Sequence, residues 1–201
     1  VLLLHCDGTD ASTTFTDSSS SGKTVTANGN AQIDTAQSKF GGASGLLDGT
    51  GDYLSLADSA DWNFGSGDWT IDCWVRFNTL KGSNGLVEQY VDSLNRVHWY
   101  IDRSGADYLM HIYGVGPNID LSRTITPTPV TGTWYHVAFV RNGNNGYMFW
   151  DGTQIGTTLN FTGITLSDFA GNFYVGSFNA TGEFDGWIDE LRISKGIARW
   201  T

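Results

Sequence analysis

Apolar and polar residues alternate with a period of two along most of the chain, and no long stretch repeats every three to four residues. That pattern predicts strands rather than helices. Candidate strands span 2–6, 23–26, 44–48, 53–56, 68–77, 84–92, 96–102, 107–113, 119–125, 134–142, 145–151, 154–158, 173–177 and 186–194. Turn signals separate nearly all of them: DGTGD at 48–52, RSGAD at 103–107, NGNNG at 142–146 and DGT at 151–153. Asp151–Gly152 is a strong short-hairpin signal, because Gly supplies the positive φ such turns need. DSADWNF at 58–64 predicts one short helical turn, Ser18–Ser21 a loop, and Thr126–Gly132, with two prolines, a connection or sheet edge. So many short strands without βαβ alternation imply an all-β fold of two packed antiparallel sheets.

Alternation also assigns faces. Trp69, Ile71, Cys73, Val75 and Phe77 share one side of their strand and read as core. Thr70, Asp72, Trp74 and Arg76 take the other. In 134–142 both sides are mostly apolar, which predicts a central strand covered on both faces. Arg96, His98, Tyr100 and Asp102 share one side of 96–102. That side is too polar for a sandwich core and is expected on a concave or outer surface. In 107–113, Tyr108 and Met110 lie opposite Leu109, His111 and Tyr113.

Composition supports the strand-rich reading. Among 201 residues there are 26 Gly and 27 aromatics, and the 21 acids are 18 Asp against 3 Glu. Asp favours turns, whereas Glu favours helices. The formal net charge of −10 argues against nucleic acid or anionic membranes as partners, and is compatible with Ca²⁺. Cys6 and Cys73 sit in apolar runs and read as buried thiols, with a disulfide between them left open. No signal peptide or membrane-spanning run is visible. The chain starts directly in a strand and stops abruptly, so a single domain, residues 1–201, excised from a longer protein is expected.

Several segments together resemble one family. LLLHCDGTD at the start, KFGGASGLLDGTGDYLSLADSADWNFGSGDWTIDCWVRF at 39–77, GTWYHVAFVRNGNNGYMFWDGTQIG at 132–156 and FDGWIDELRISKGIARWT at 184–201 are similar to LamG-like (concanavalin A-like lectin/glucanase) domains. The resemblance implies a two-sheet antiparallel jelly-roll sandwich, and residues 78–131 are its least similar part. It also implies a structural Ca²⁺ near the chain ends, pointing to Asp189 with Asp7 and Asp48. The alternative for Asp189 is hydrogen bonding or an ion pair with Arg192, a residue also expected to pair with a buried acid.

Four His and two distant Cys give no zinc spacing, and His5 and His136 read as structural. Glycosidases of this fold place two carboxylates on one strand face. Glu88 with Asp92 is the best acid pair available and lacks such a motif. A sugar binder instead needs aromatic planes beside hydrogen-bonding groups. The middle region offers these in Gln89, Tyr90, Arg96, His98, Tyr100, Asp102, Tyr108 and His111. The expectation is therefore a non-catalytic module, extracellular or on a cell or virion surface. It would bind polysaccharide or glycan, with no nucleic acid or membrane insertion, and with homo-oligomerisation or larger assembly open to it. A structural or assembly module and an atypical glycosidase are the alternatives. Asn160 and Asn179 head two glycosylation sequons.

Overall fold

The computed structural model describes residues 1–177 and 182–201, so the Asn179 sequon lies outside the described residues. Sixteen strands follow in order: β1 (Leu2–Leu4), β2 (Thr26–Asn28), β3 (Gln32–Asp34), β4 (Ser44–Asp48), β5 (Tyr53–Leu56), β6 (Trp69–Phe77), β7 (Ser83–Asp92), β8 (Asn95–Ser104), β9 (Asp107–Gly114), β10 (Ile119–Thr124), β11 (Trp134–Asn142), β12 (Asn145–Trp150), β13 (Thr153–Gln154), β14 (Leu159–Asn160), β15 (Phe173–Val175) and β16 (Asp185–Lys195). The helical turn expected at 58–64 is a single 3₁₀ turn, Ala60–Trp62, capped by the Ser59 side chain.

Two antiparallel sheets form the sandwich. One has nine strands, ordered β13-β12-β11-β6-β16-β4-β3, with β1 added on β16 and β14 on β12. The other has seven, ordered β10-β9-β8-β7-β15-β5-β2. The expected all-β jelly-roll class is what forms.

The core between the sheets follows the alternation. Trp69, Ile71, Cys73, Val75 and Phe77 from β6 are at most 3% exposed, and they face Val97, Trp99 and Ile101 of β8. Trp69 and Trp99 meet edge to face at 5.6 Å, and Trp62 stacks on Phe173 at 4.4 Å. These large rings fill the space that ~10 Å sheet separation leaves. Both cysteines are free and buried, and burial pushes each thiol's pKa well above its ordinary value. Arg141 is fully buried too. Its guanidinium donates to the carbonyls of Gly143, Gly65 and Ile164, so the charge is met by backbone acceptors.

β11 is central in its sheet, and its outward Ala138 and Val140 are buried, but outward Trp134 and His136 stand half-exposed. The strand is covered over only part of its length.

Candidate functional site on the seven-stranded sheet

The middle strands β7–β10 are joined in sequence order, so they lie side by side with long, well-defined registers. His98 sits opposite Glu88 on one neighbour and Tyr113 on the other. Tyr100 sits opposite His111. β10 then places Asp120 beside Tyr113, and β15 places Tyr174 beside Glu88. Alternation turns all of these side chains to the face away from the core.

The result is a connected array of rings and polar groups. His98 Nδ1 donates to Glu88 Oε2 at 2.7 Å, with both side chains buried. Tyr100 and His111 stack at 4.8 Å, and the Tyr100 hydroxyl meets His111 Nδ1 at 2.8 Å. His111 Nε2 donates to Asp120 Oδ1 at 2.6 Å. In the neutral imidazole that fixes the proton on Nε2, leaving Nδ1 to accept from the tyrosine. Burial, and then the nearby Asp102 and Asp120 carboxylates, raise the Tyr100 pKa, so it stays a neutral donor. Arg96 lies over the Tyr113 ring at 5.8 Å, and Tyr53 meets Tyr174 at 5.7 Å across β5 and β15. Tyr53, Tyr90, Arg96, His111, Tyr113 and Tyr174 are half-buried and reach the surface.

Of the residues predicted for ligand binding, Tyr90, Arg96, His98, Tyr100, Asp102 and His111 lie on this face. His98 and Tyr100 form its floor rather than its surface. Gln89 and Tyr108 do not belong to it. Gln89 alternates with Glu88, opposes inward Val97, is fully buried and donates to the Phe169 carbonyl. Tyr108 shares the inward side with Met110 and is part of the core. Glu88 and Asp92, the best acid pair the sequence offers though without a glycosidase motif, do not act together. Glu88 is held by His98, while Asp92 is exposed and accepts from Leu94, Asn95 and the Asn95 amide. Tyr53, Tyr174 and Asp120 were missed, because they reach the array through pairings that no local pattern encodes.

The three carboxylates expected to hold Ca²⁺ do not converge. Asp189 Oδ2 accepts from the Lys39 and Phe40 amides at 2.8 and 3.0 Å, and Asp7 lies against Gly41 of the same turn. Asp48 opposes Asp185, four residues from Asp189 along β16, which at ~3.3 Å per residue is about 13 Å away. Asp48 instead closes its own turn, accepting from Thr50 N–H. Asp189 is fully buried, and desolvation raises its pKa despite the two amide bonds. Arg192 pairs with buried Asp72 through two contacts of 2.9 and 3.1 Å, not with Asp189. Among the described residues, no group of three or more His, Cys, Asp or Glu is arranged to hold a metal.

The family model for the concanavalin A-like lectin/glucanases superfamily matches residues 48–198. The chain belongs to this superfamily. No curated protein sequence matches it. Among solved structures it is similar to domain 4 of AbnA, a GH43 extracellular arabinanase from Geobacillus stearothermophilus, in complex with arabinotriose. That likeness has a TM-score of 0.70 at 20% identity, covering 98% of this chain and 95% of that one. It is also similar to the binding domain of Paraclostridial Mosquitocidal Protein 1, with a TM-score of 0.70 at 16% identity over 97% of this chain and 48% of that one. Domains LG4-5 of the mouse laminin alpha1 chain match with a TM-score of 0.56 at 17% identity, over 74% and 40%. The chain therefore spans about half the length, or less, of the toxin and laminin fragments, and nearly all of the arabinanase domain. At these identities the likeness is one of fold.

Proposed function

We propose that the chain is a non-catalytic glycan-binding module acting outside the cell or on a cell or virion surface. The outer face of the seven-stranded sheet is its binding surface. The observation that carries this reading is the joined array of Tyr100, His111, Tyr113 and Asp120. Half-exposed ring planes lie beside fixed donors and acceptors, the combination a sugar's C–H face and hydroxyls require. The neighbouring arabinanase domain, solved with arabinotriose, supports the ligand class. Its fold relatives include toxin binding domains, which fits a binding role more than a hydrolytic one. No helix among the described residues is long and apolar enough to cross a membrane.

On this face the buried Glu88 carboxylate is engaged by a histidine, and Asp92 is held in a turn. Affinity electrophoresis through gels containing arabinan, xylan, β-1,3-glucan or polygalacturonate tests the reading. Retardation by at least one polymer, weakened by Tyr113→Ala or His111→Ala, is the expected result. Retardation untouched by either substitution would refute the assignment of this face, and release of reducing sugar would refute the non-catalytic reading.

A further inference from the structure

The outer face of the nine-stranded sheet carries a groove that the function above does not use. β6, β11 and β12 turn Trp74, Trp134, His136 and Phe149 to this face, and Trp200 folds back over it near the chain's end. Three open cavities of about 460, 310 and 470 Å³ adjoin here. All three share Trp74 and His136, so they neighbour one another along one trough. Each volume lies within the range of small-ligand pockets, ~300–1,000 Å³.

The lining alternates ring planes with polar groups. Trp74 stands 5.3 Å from His136 and 5.9 Å from Phe40, which is itself 50% exposed. Trp200 crosses His136 at 5.5 Å. Between the rings, Asp72 is pinned by Arg192, and Asp151 accepts from the His136 amide. Lys39 Nζ sits 4.0 Å from the Trp74 ring centre and forms no ion pair among the described residues. A cation–π contact between two half-exposed side chains is weak, so this ammonium can trade the ring for a hydroxyl or carboxylate acceptor. Half-exposed aromatics gathered on one sheet face mark a recognition surface. The interleaved Asp, His, Arg and Lys groups suit a partner that is apolar on its faces and hydroxylated at its edges, rather than a uniformly apolar helix.

We propose that this trough is a second glycan-binding site, which takes a short run of sugar rings along Trp74, His136 and Trp200, on the opposite side of the sandwich from the first. It shares only the ligand class with the reading above, and stands if that face proves inert. The test is affinity electrophoresis of Tyr113→Ala, which leaves the trough intact, in the same four polymer gels. Trp74→Ala and Trp200→Ala are then added separately. Both tryptophans are half-exposed, and thermal unfolding confirms that each variant folds. Tyr113→Ala should still be retarded by at least one polymer, and each tryptophan substitution should raise its apparent Kd at least tenfold. The proposal is overturned if Tyr113→Ala is retarded by none of the four. It is overturned equally if both tryptophan variants migrate like their parent, or if light scattering shows that the trough forms a dimer abolished by Trp74→Ala. Retardation of the unsubstituted domain that Tyr113→Ala leaves unchanged, and Trp74→Ala removes, would sink the first reading and uphold this one.

Discussion

The buried Glu88–His98 pair under the seven-stranded face is the most exposed point of the account to experiment. The two side chains are 3% and 1% accessible, and their contact is 2.7 Å. An ionised or strongly polar group so enclosed is tolerable only with its partner in place. Glu88→Ala removes the carboxylate that His98 contacts in the floor and opens a gap beside His98 and Tyr174. Removing one member of a buried pair costs ~3–5 kcal/mol. For a domain of this size each kcal/mol moves Tm by ~2–4 °C, so Glu88→Ala should lower Tm by roughly 6–20 °C. Glu88→Gln, which keeps a hydrogen-bonding oxygen, should lose much less. Thermal and urea unfolding of Glu88→Ala, His98→Ala and the double variant measures this as a cycle. The double variant should be less destabilised than the two singles summed. A loss below about 1 kcal/mol for Glu88→Ala, or strict additivity, would show that the pair does not organise the face.

Other consequences are sharp enough to check. Asp17 accepts from the amides of Lys23, Ser19 and Leu3; burial acts to raise its pKa, but these bonds outweigh it and hold the group below the usual carboxylate range. Its folded pKa is therefore depressed, so its contribution is present above the unfolded value of ~3.9 and is lost as pH falls through the folded value. Asp17→Asn should lower stability at neutral pH and flatten the acid limb of the stability–pH curve; an unchanged limb contradicts the assignment. Gly186 of β16 has φ 149°, and a Cβ there would lie 2.1 Å from the Arg76 carbonyl oxygen. Gly186→Ala should destabilise by ~1–3 kcal/mol in urea unfolding, and a neutral result would mean the β6–β16 spacing is looser than it stands here. Arg141→Ala removes a buried guanidinium that donates to the carbonyls of Gly143, Gly65 and Ile164, and should cost ~1.5–3 kcal/mol; a smaller loss would mean that water replaces the guanidinium.

Local alternation carried most of the fold. The faces of β6, β8 and β9 follow from sequence, because each strand is long and half its residues must be apolar. β3 and β14 were not expected, being three and two residues of mixed polarity at sheet margins. For the site, alternation already set Tyr108 opposite His111, and Gln89 cannot share a face with Glu88. Composition alone grouped them, and the pairing separated them. The contributions of Tyr174 and Asp120 depend on β15 and β10, and which strands flank β7 and β9 is a tertiary choice. Trp74 was legible as outward. That it meets His136, Phe40 and Trp200 in a trough was not, since the four residues come from four separate segments.

Glycan is proposed to be held on the Tyr100–His111–Tyr113 face. The most direct measurement is the apparent Kd for the best-retarding polysaccharide, compared between the unsubstituted domain and Tyr113→Ala. Loss of the exposed ring should weaken binding about tenfold, ~1.4 kcal/mol, with Tm little changed. An unchanged Kd in a folded Tyr113→Ala variant would contradict it.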